Sequence, residues 1–370
     1  MSEKDKELFF SSELLGWYRK VRRDLPWRRS RNPYHIWVSE IMLQQTRVDT
    51  VIPYFARFVE RFPTLIDLAD APEEDVLKHW EGLGYYSRAR NLQAAVREVA
   101  ASYGGEVPAD KESVSGLKGV GPYTAGAILS IAFNQPEPAV DGNVMRVLSR
   151  FFCLEEDIAK PATRVRMEAL AKRLIPEGAA SDFNQALMEL GALVCTPKSP
   201  GCLTCPVMEH CEGRMAGREN ELPIKTKAKP PKKVYRLAVF IEGTREHAGR
   251  VLVRRRPATG LLARLWELPH VEAPNESVWA SSESAGVWLA GSLAAEGLLV
   301  KPKDVVADAE HVFSHLHWYL KVWTAVAEDA SLLPGEADDY RWVGPEDFDL
   351  LAWPNVFRKL VSDYFNRDFY

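Results

Sequence analysis

Three stretches of the chain hold residues whose types and spacing could do chemistry. Glu40 lies in Trp37-Val38-Ser39-Glu40-Ile41-Met42-Leu43, an acid among apolar neighbours. Burial there would disfavour the carboxylate and raise its pKa, as a general acid near neutral pH requires. The alternative is a glutamate on the exposed stripe of an amphipathic helix. A second acid, Asp141, stands in Ala139-Val140-Asp141-Gly142-Asn143, eighteen residues beyond Tyr123. Between the two acids, Gly119 and Gly121 bracket Val120 ahead of an apolar helix over 124–133. Such a turn lets the backbone come close to a ligand, and helix amides left free there suit an anion such as DNA phosphate. A glycine-rich turn that only packs has the same appearance.

Four of the five cysteines fall within seventeen residues, as Cys195-x6-Cys202-x2-Cys205-x5-Cys211 in a loop rich in proline and glycine. Four thiolates gathered in this way bind a soft metal, and both a structural zinc and an iron–sulfur cluster fit the spacing. Cys153, in an apolar context, reads as a small core residue. Nothing resembles a disulfide framework, which points to a reducing, intracellular location.

The elements that must position these groups divide the chain into two types. Helical periodicity runs over 6–23, then 37–61 as one long helix, then 63–70, 73–80 and 88–103. A helical hairpin follows at about 113–133, with further helices at 140–153, 161–174 and 183–194. Gln44, Gln45 and Thr46 could meet base edges or face water. Tyr85 and Tyr86, in a glycine turn beside Arg88 and Arg90, suit wedging into a base stack or a place in the core. The basic run Arg19 to Arg31 is either a solvated face or a phosphate contact. Residues 223–233, rich in proline and lysine, read as a linker. Beyond it the period changes to strands at 234–241, 250–254, 266–270, 304–311, 319–326 and 340–343, with helices at 278–297 and 354–365. The expectation is a helical region over 1–222 and a mixed α and β domain over 234–370.

At 46% hydrophobic, 26% charged and net charge −4, the composition is that of an ordinary globular protein. Neither half is basic enough to announce nucleic acid by charge alone. No apolar run reaches the roughly 18 residues of a membrane span, and the acidic start is unlike a signal peptide. The expectation is therefore a cytoplasmic, nucleoid-associated protein.

These residues together resemble the helix-hairpin-helix DNA glycosylases, and within them the adenine glycosylases that act opposite 8-oxoguanine. Ser39 to Thr46 is similar to that family's catalytic-acid helix, and Gly82-Leu83-Gly84-Tyr85-Tyr86 to its intercalating loop. Gly119-Val120-Gly121 is similar to its hairpin, and Val140-Asp141-Gly142-Asn143-Val144 to its second catalytic segment. The cysteine spacing is that of the family's 4Fe-4S cluster. The second domain resembles Nudix folds through the segment Gly260 to Pro269. The glutamate run of a working Nudix hydrolase is missing, and Trp279 to Val287 stands in its place.

The resemblance implies an all-α helix-hairpin-helix region with a 4Fe-4S loop, followed by an α+β Nudix-like lesion-recognition domain. It implies a monofunctional hydrolase that removes adenine mispaired with 8-oxoguanine or guanine in double-stranded DNA. Glu40 would be the acid and Asp141 the stabilising anion, with Asn143 orienting them and Tyr123 hydrogen-bonding near Asp141. Where relatives that cut the strand carry lysine, this chain has Tyr123, which cannot form an imine. Trp27, Arg28, Leu43, Gln45, Thr46, Tyr85, Gly119 and Gly121 would meet base or backbone. Phe313, Ser314 and His315 would sense the oxidised guanine. Cys195, Cys202, Cys205 and Cys211 would hold the cluster. A monomer is implied, and other repair or replication proteins stay open as partners. Lys118, Pro122 and Gln185 depart from residues common in the family.

Overall fold

The computed structural model describes residues 2–227, 229–327 and 339–366. Its contacts form two compact units, one of residues 1–71 and 91–228 and one of residues 72–90 and 229–370.

The first unit opens with α1 (Glu3–Val21), α2 (Pro33–Leu43), α3 (Val48–Arg61) and α4 (Leu65–Asp70). The chain then contributes α5 (Glu73–Trp80) to the second unit, and α6 (Ser87–Ser102) returns it to the first. There follow α7 (Lys111–Gly116), α8 (Pro122–Phe133), α9 (Gly142–Phe151), α10 (Pro161–Leu174), α11 (Ala180–Leu193) and the short α12 (Glu212–Met215). Polar residues start several helices by satisfying free amides: Ser2 and Asp5 form a reciprocal capping box on α1, as do Thr64 and Asp67 on α4.

The long helix expected over 37–61 is two helices. Gln44 leaves the helical conformation, Gln45 takes a φ of 58°, and Thr46 closes the turn through its amide on Leu43 O and its hydroxyl on Gln44 O. Short polar side chains that bond their own backbone compete with the helix, and here they win.

Apolar faces of α1, α9 and α11 meet in the main core of this unit, where Phe10, Leu14, Leu148, Phe151, Phe183 and Leu190 are fully enclosed. Gly126 on α8 lets the helix approach the 138–139 backbone, since a Cβ there would lie 2.0 Å from Pro138 O. That close approach sets α8 beside the segment leading to Asp141.

The second unit carries β1 (Lys232–Glu242), β2 (Val251–Arg255), β3 (Trp266–Glu267), β4 (His270–Glu272), α13 (Glu276–Ala280), α14 (Ser282–Ala295), β5 (Val300–Val312), β6 (Leu316–Ala327), β7 (Tyr340–Val343) and α15 (Asn355–Phe365). The sheet order is β3-β2-β1-β6-β5, with β4 also paired to β1 and β7 to β2. β1 and β6 run parallel and the other pairs antiparallel. Alternation splits β1 between two cores: Val234, Ala238 and Phe240 pack with α15, while Leu237, Val239 and Ile241 pack with α14. The single strand expected over 266–270 is interrupted at Leu268 and Pro269, and proline lacks the amide a ladder needs. Residues 72–90 are tied to this unit by Tyr86 Oη on Trp353 O at 2.9 Å and by Glu81, which accepts from Trp353 N at 2.8 Å and pairs with Arg358.

Candidate active site

Asp141 is the N-cap of α9, its Oδ1 accepting from Val144 N at 2.8 Å. Aspartate favours this position because its short side chain reaches a free amide. Asn143 Nδ2 donates to Oδ2 at 2.8 Å, so both oxygens are held. Arg146 holds Asn143 in turn, donating to Asn143 Oδ1 at 2.8 Å, to Gly191 O at 2.9 Å and to Cys195 O at 2.8 Å. Burial raises the pKa of Asp141, while the bonds from Val144, Asn143 and the nearby Arg146 favour its charged form.

Glu40, at the eighth position after the Asn32 cap of α2, is only 4% exposed. Tyr123, in the first turn of α8, donates its hydroxyl to Glu40 Oε2 at 2.5 Å. The bond expected near Asp141 thus goes to Glu40. Burial pushes the Glu40 carboxyl up to about 7 against the pull of that bond, with the charge of Asp141 adding to the rise and that of Arg28 opposing it. The Tyr123 hydroxyl, buried beside both carboxyls, is pushed well above its usual range. One carboxyl that keeps its proton near neutrality beside a second whose two oxygens accept from Val144 N and Asn143 Nδ2 is an arrangement able to protonate a leaving group and stabilise a cation.

These residues line one cavity of about 150 Å³. Trp27, Arg28, Leu43 and Thr46 line it too, as does Gln185. Sequence reasoning missed Arg23 and Glu189 on the same wall. Glu189 lies in Leu187-Met188-Glu189-Leu190, an acid in an apolar run, which is the signal that singled out Glu40. In the basic run of 19–31, Arg23 and Arg28 meet the buried Glu189, whereas Arg19, Lys20, Arg22, Arg29 and Arg31 are exposed, Arg19 beside Asp182 and Arg29 beside Asp24.

Beside the cavity a wider groove is lined by Gln44, Gln45, Gly119, Gly121, Thr124 and Arg164, with Tyr123 and Asp141 at its boundary. Gly119 has φ +77°, and a Cβ there would meet Asn91 Cβ at 2.7 Å, so the turn needs glycine on both counts. Gly121 caps α8 with no side chain, and Pro122 takes the first helical position without an amide to satisfy. The groove therefore has helix-end polarity suited to an anion.

Cys195, Cys202, Cys205 and Cys211 surround a separate cavity. Among the described residues, no group of three or more His, Cys, Asp or Glu is placed to hold a metal ion. In the second unit, Phe313, Ser314 and His315 sit at the β5–β6 connection, with Ser314 and His315 exposed and Phe313 edge-on to Trp318. Tyr85 lies in the same unit, 48% exposed and with φ +46°.

Residues 38–176 match the model of the HhH-GPD superfamily base excision DNA repair proteins, and residues 243–363 match the NUDIX domain. Over 96% of its length the chain is 35% identical to adenine DNA glycosylase of Homo sapiens, covering 74% of that protein. The chain belongs to the adenine DNA glycosylase family. Another adenine DNA glycosylase, from Schizosaccharomyces pombe, is 34% identical over 92% of this chain and 86% of its own length. Among solved structures, a thermostable thymine-DNA glycosylase superposes with TM-score 0.54 at 31% identity, covering 58% of this chain and 100% of that one. Endonuclease III in a non-covalent DNA complex gives 0.51 at 28% identity, covering 59% and 100%. The adenine glycosylase family and the NUDIX match account for the two fold types. Among the described residues of this glycosylase family member, no helix is long and apolar enough to cross a membrane.

Proposed function

We propose that this base-excision-repair glycosylase removes adenine mispaired with 8-oxoguanine or guanine in double-stranded DNA. The observation that carries the reading is that Glu40 and Asp141, from separate helices, line one cavity with Tyr123. Adenine is unreachable inside a duplex, so its nucleotide must be extruded into such a cavity. Glu40 then delivers a proton to adenine N7, the C1′–N9 bond breaks with its electrons leaving on the base, and the carboxylate of Asp141 stabilises the oxocarbenium-like sugar until water adds. Asn143 fixes the direction of Asp141. Trp27, Arg28, Leu43 and Thr46 form the wall against the base, and the groove of Gln45, Gly119 and Gly121 takes the DNA backbone. Tyr85 offers a ring to the base stack, and Phe313, Ser314 and His315 read the opposite base.

Four cysteines around one cavity, at the Cys-x6-Cys-x2-Cys-x5-Cys spacing that resembles the family's cluster loop, support a polynuclear cluster over zinc. Cys195, Cys202, Cys205 and Cys211 would hold a 4Fe-4S cluster, which when bound cross-links the end of α11 to the loop after it. The enzyme reads as a monomer over residues 1–222 and 234–370 with a linker between, working on DNA at the nucleoid.

The test is single-turnover release of adenine from A:8-oxoguanine, A:G and A:C duplexes, with and without alkali. Release on the first two, with strand breaks only after alkali, is expected. Glu40→Gln should lower the rate by about 10²- to 10⁴-fold. Unchanged release from that variant would sink the assignment of the acid.

A further inference from the structure

Three carboxyl side chains, Glu40, Asp141 and Glu189, line the cavity, and the reaction described above uses two of them. The third, Glu189 on α11, is fully buried. Its Oε1 accepts from Arg23 N at 3.0 Å, from Arg23 Nε at 2.9 Å and from an Arg28 terminal nitrogen at 3.2 Å. Its Oε2 accepts from the other Arg23 and Arg28 terminal nitrogens at 2.8 and 2.9 Å. With five bonds on two oxygens, Glu189 is saturated and has no lone pair to offer a base or a water. It cannot serve as a second acid, yet two guanidiniums are oriented by it.

We propose that Glu189 is a positioning residue of the adenine cavity: it clamps Arg23 and Arg28 against the wall and offsets the positive charge that Arg28 would otherwise present to Glu40. The proposal rests on the reading of Glu40 as the acid. Arg28 also lies over the Tyr18 ring, at 5.7 Å, and its charge acts on Glu40 in the direction that favours loss of the proton. The clamp holds the carboxyl of Glu189 at about 2; burial pushes it up, and the bonds from Arg23 and Arg28 outweigh that. Other charges around the cluster are Asp49 on α3, facing Arg23, and Arg22 and Asp182, facing Tyr18. Facing Glu40 itself are Tyr123, Asp141 and Arg28. Removing the charge of Glu189 while keeping its shape leaves a buried guanidinium uncompensated beside the acid.

The experiment is the pH profile of single-turnover adenine release by the full-length, cluster-containing protein and by Glu189→Gln, Arg28→Gln and the double variant. The alkaline limb of Glu189→Gln should move to lower pH by about one unit. Arg28→Gln should move it to higher pH, and the double variant should follow Arg28→Gln. A limb that stays in place in Glu189→Gln while the rate falls would show a merely structural role and overturn the proposal. If Glu189→Gln does not fold, Arg28→Gln keeps the test open, because an unmoved limb there removes the charge that Glu189 is said to offset. Failure of the underlying reading is separate: it would appear as full activity in Glu40→Gln.

Discussion

The hydroxyl of Tyr123 donates to Oε2 of Glu40 across 2.5 Å, joining residues 83 positions apart in the chain. This bond favours the ionised form of Glu40, so it works against the rise caused by burial. Tyr123→Phe should raise the Glu40 pKa further and carry the alkaline limb of adenine release upward. A hydrogen bond to a charged group contributes about 1.5 to 3 kcal/mol, or about one to two pH units. A limb that moves downward would mean that the tyrosine supports the acid form instead.

The same residue bears on strand cleavage. A phenol cannot form the Schiff base that an amine forms with an abasic sugar. Borohydride should therefore trap little protein on the abasic product of the natural enzyme. Trapping that persists in Tyr123→Phe and disappears in Lys118→Ala would reassign the hairpin as a lyase site.

Glu40 is also a stability liability, and the sign can be worked out. Its folded pKa of about 7 lies above the unfolded value of 4.5, so its proton stabilises the fold below pH 4.5 and that contribution is lost as pH rises through 7. The gap corresponds to about 3 kcal/mol. Glu40→Gln should be more stable than the natural protein at pH 8 by an amount of that order and indistinguishable near pH 4. Urea unfolding of the first unit at the two pH values measures it, and equal stability at pH 8 would argue against a buried acid.

Helices are legible in the sequence where apolar spacing fixes them, as for 73–80 and 161–174. Of the two carboxyls proposed to be catalytic, Glu40 is legible as an acid in an apolar run, and both are legible by resemblance. What periodicity does not reveal is long-range pairing. Nothing in the run of Arg19 to Arg31 says that Arg23 and Arg28 meet Glu189 more than 160 positions away. Nor does the composition of 72–90 announce that this stretch joins the second unit, where it meets backbone atoms of Leu351 and Trp353 and the distant side chains of Trp266 and Arg358. The split of 37–61 was also hidden, since glutamine and threonine are tolerated in helices until a turn uses them.

Gly191 on α11 touches the catalytic segment directly. A Cβ there would lie 2.6 Å from Asn143 Cβ and 3.2 Å from its Cα and carbonyl oxygen. Gly191→Ala must push the first turn of α9 away, loosening the bonds from Asn143 to Asp141 and from Arg146 to Asn143. Overpacking of this kind costs about 1 to 3 kcal/mol. Adenine release should fall more steeply than melting temperature, since Asp141 is displaced while the core of Phe10 and Phe183 is not. Loss of stability with an unchanged rate in the folded fraction would show that Asp141 does not depend on this contact.

Glu267 tests the second unit. It stands in the segment that resembles a Nudix box, is 1% exposed, and accepts from Arg254 at 3.0 Å, Arg256 at 2.7 Å and His270 at 2.8 Å. Burial pushes its carboxyl up, yet the imidazole and the two guanidiniums together hold it at about 2. Its folded pKa lies below the unfolded 4.5, so its contribution is present above pH 4.5 and lost as pH falls through 2. Glu267→Gln should destabilise this unit by about 3 to 5 kcal/mol at pH 7, as expected when one partner of a buried ion pair is removed. The difference should shrink steadily below pH 4. With its oxygens committed to arginines, Glu267 has little to offer a divalent cation, so nucleoside triphosphates with magnesium should release no pyrophosphate. Release that vanishes in Glu267→Gln would restore hydrolase chemistry to this domain.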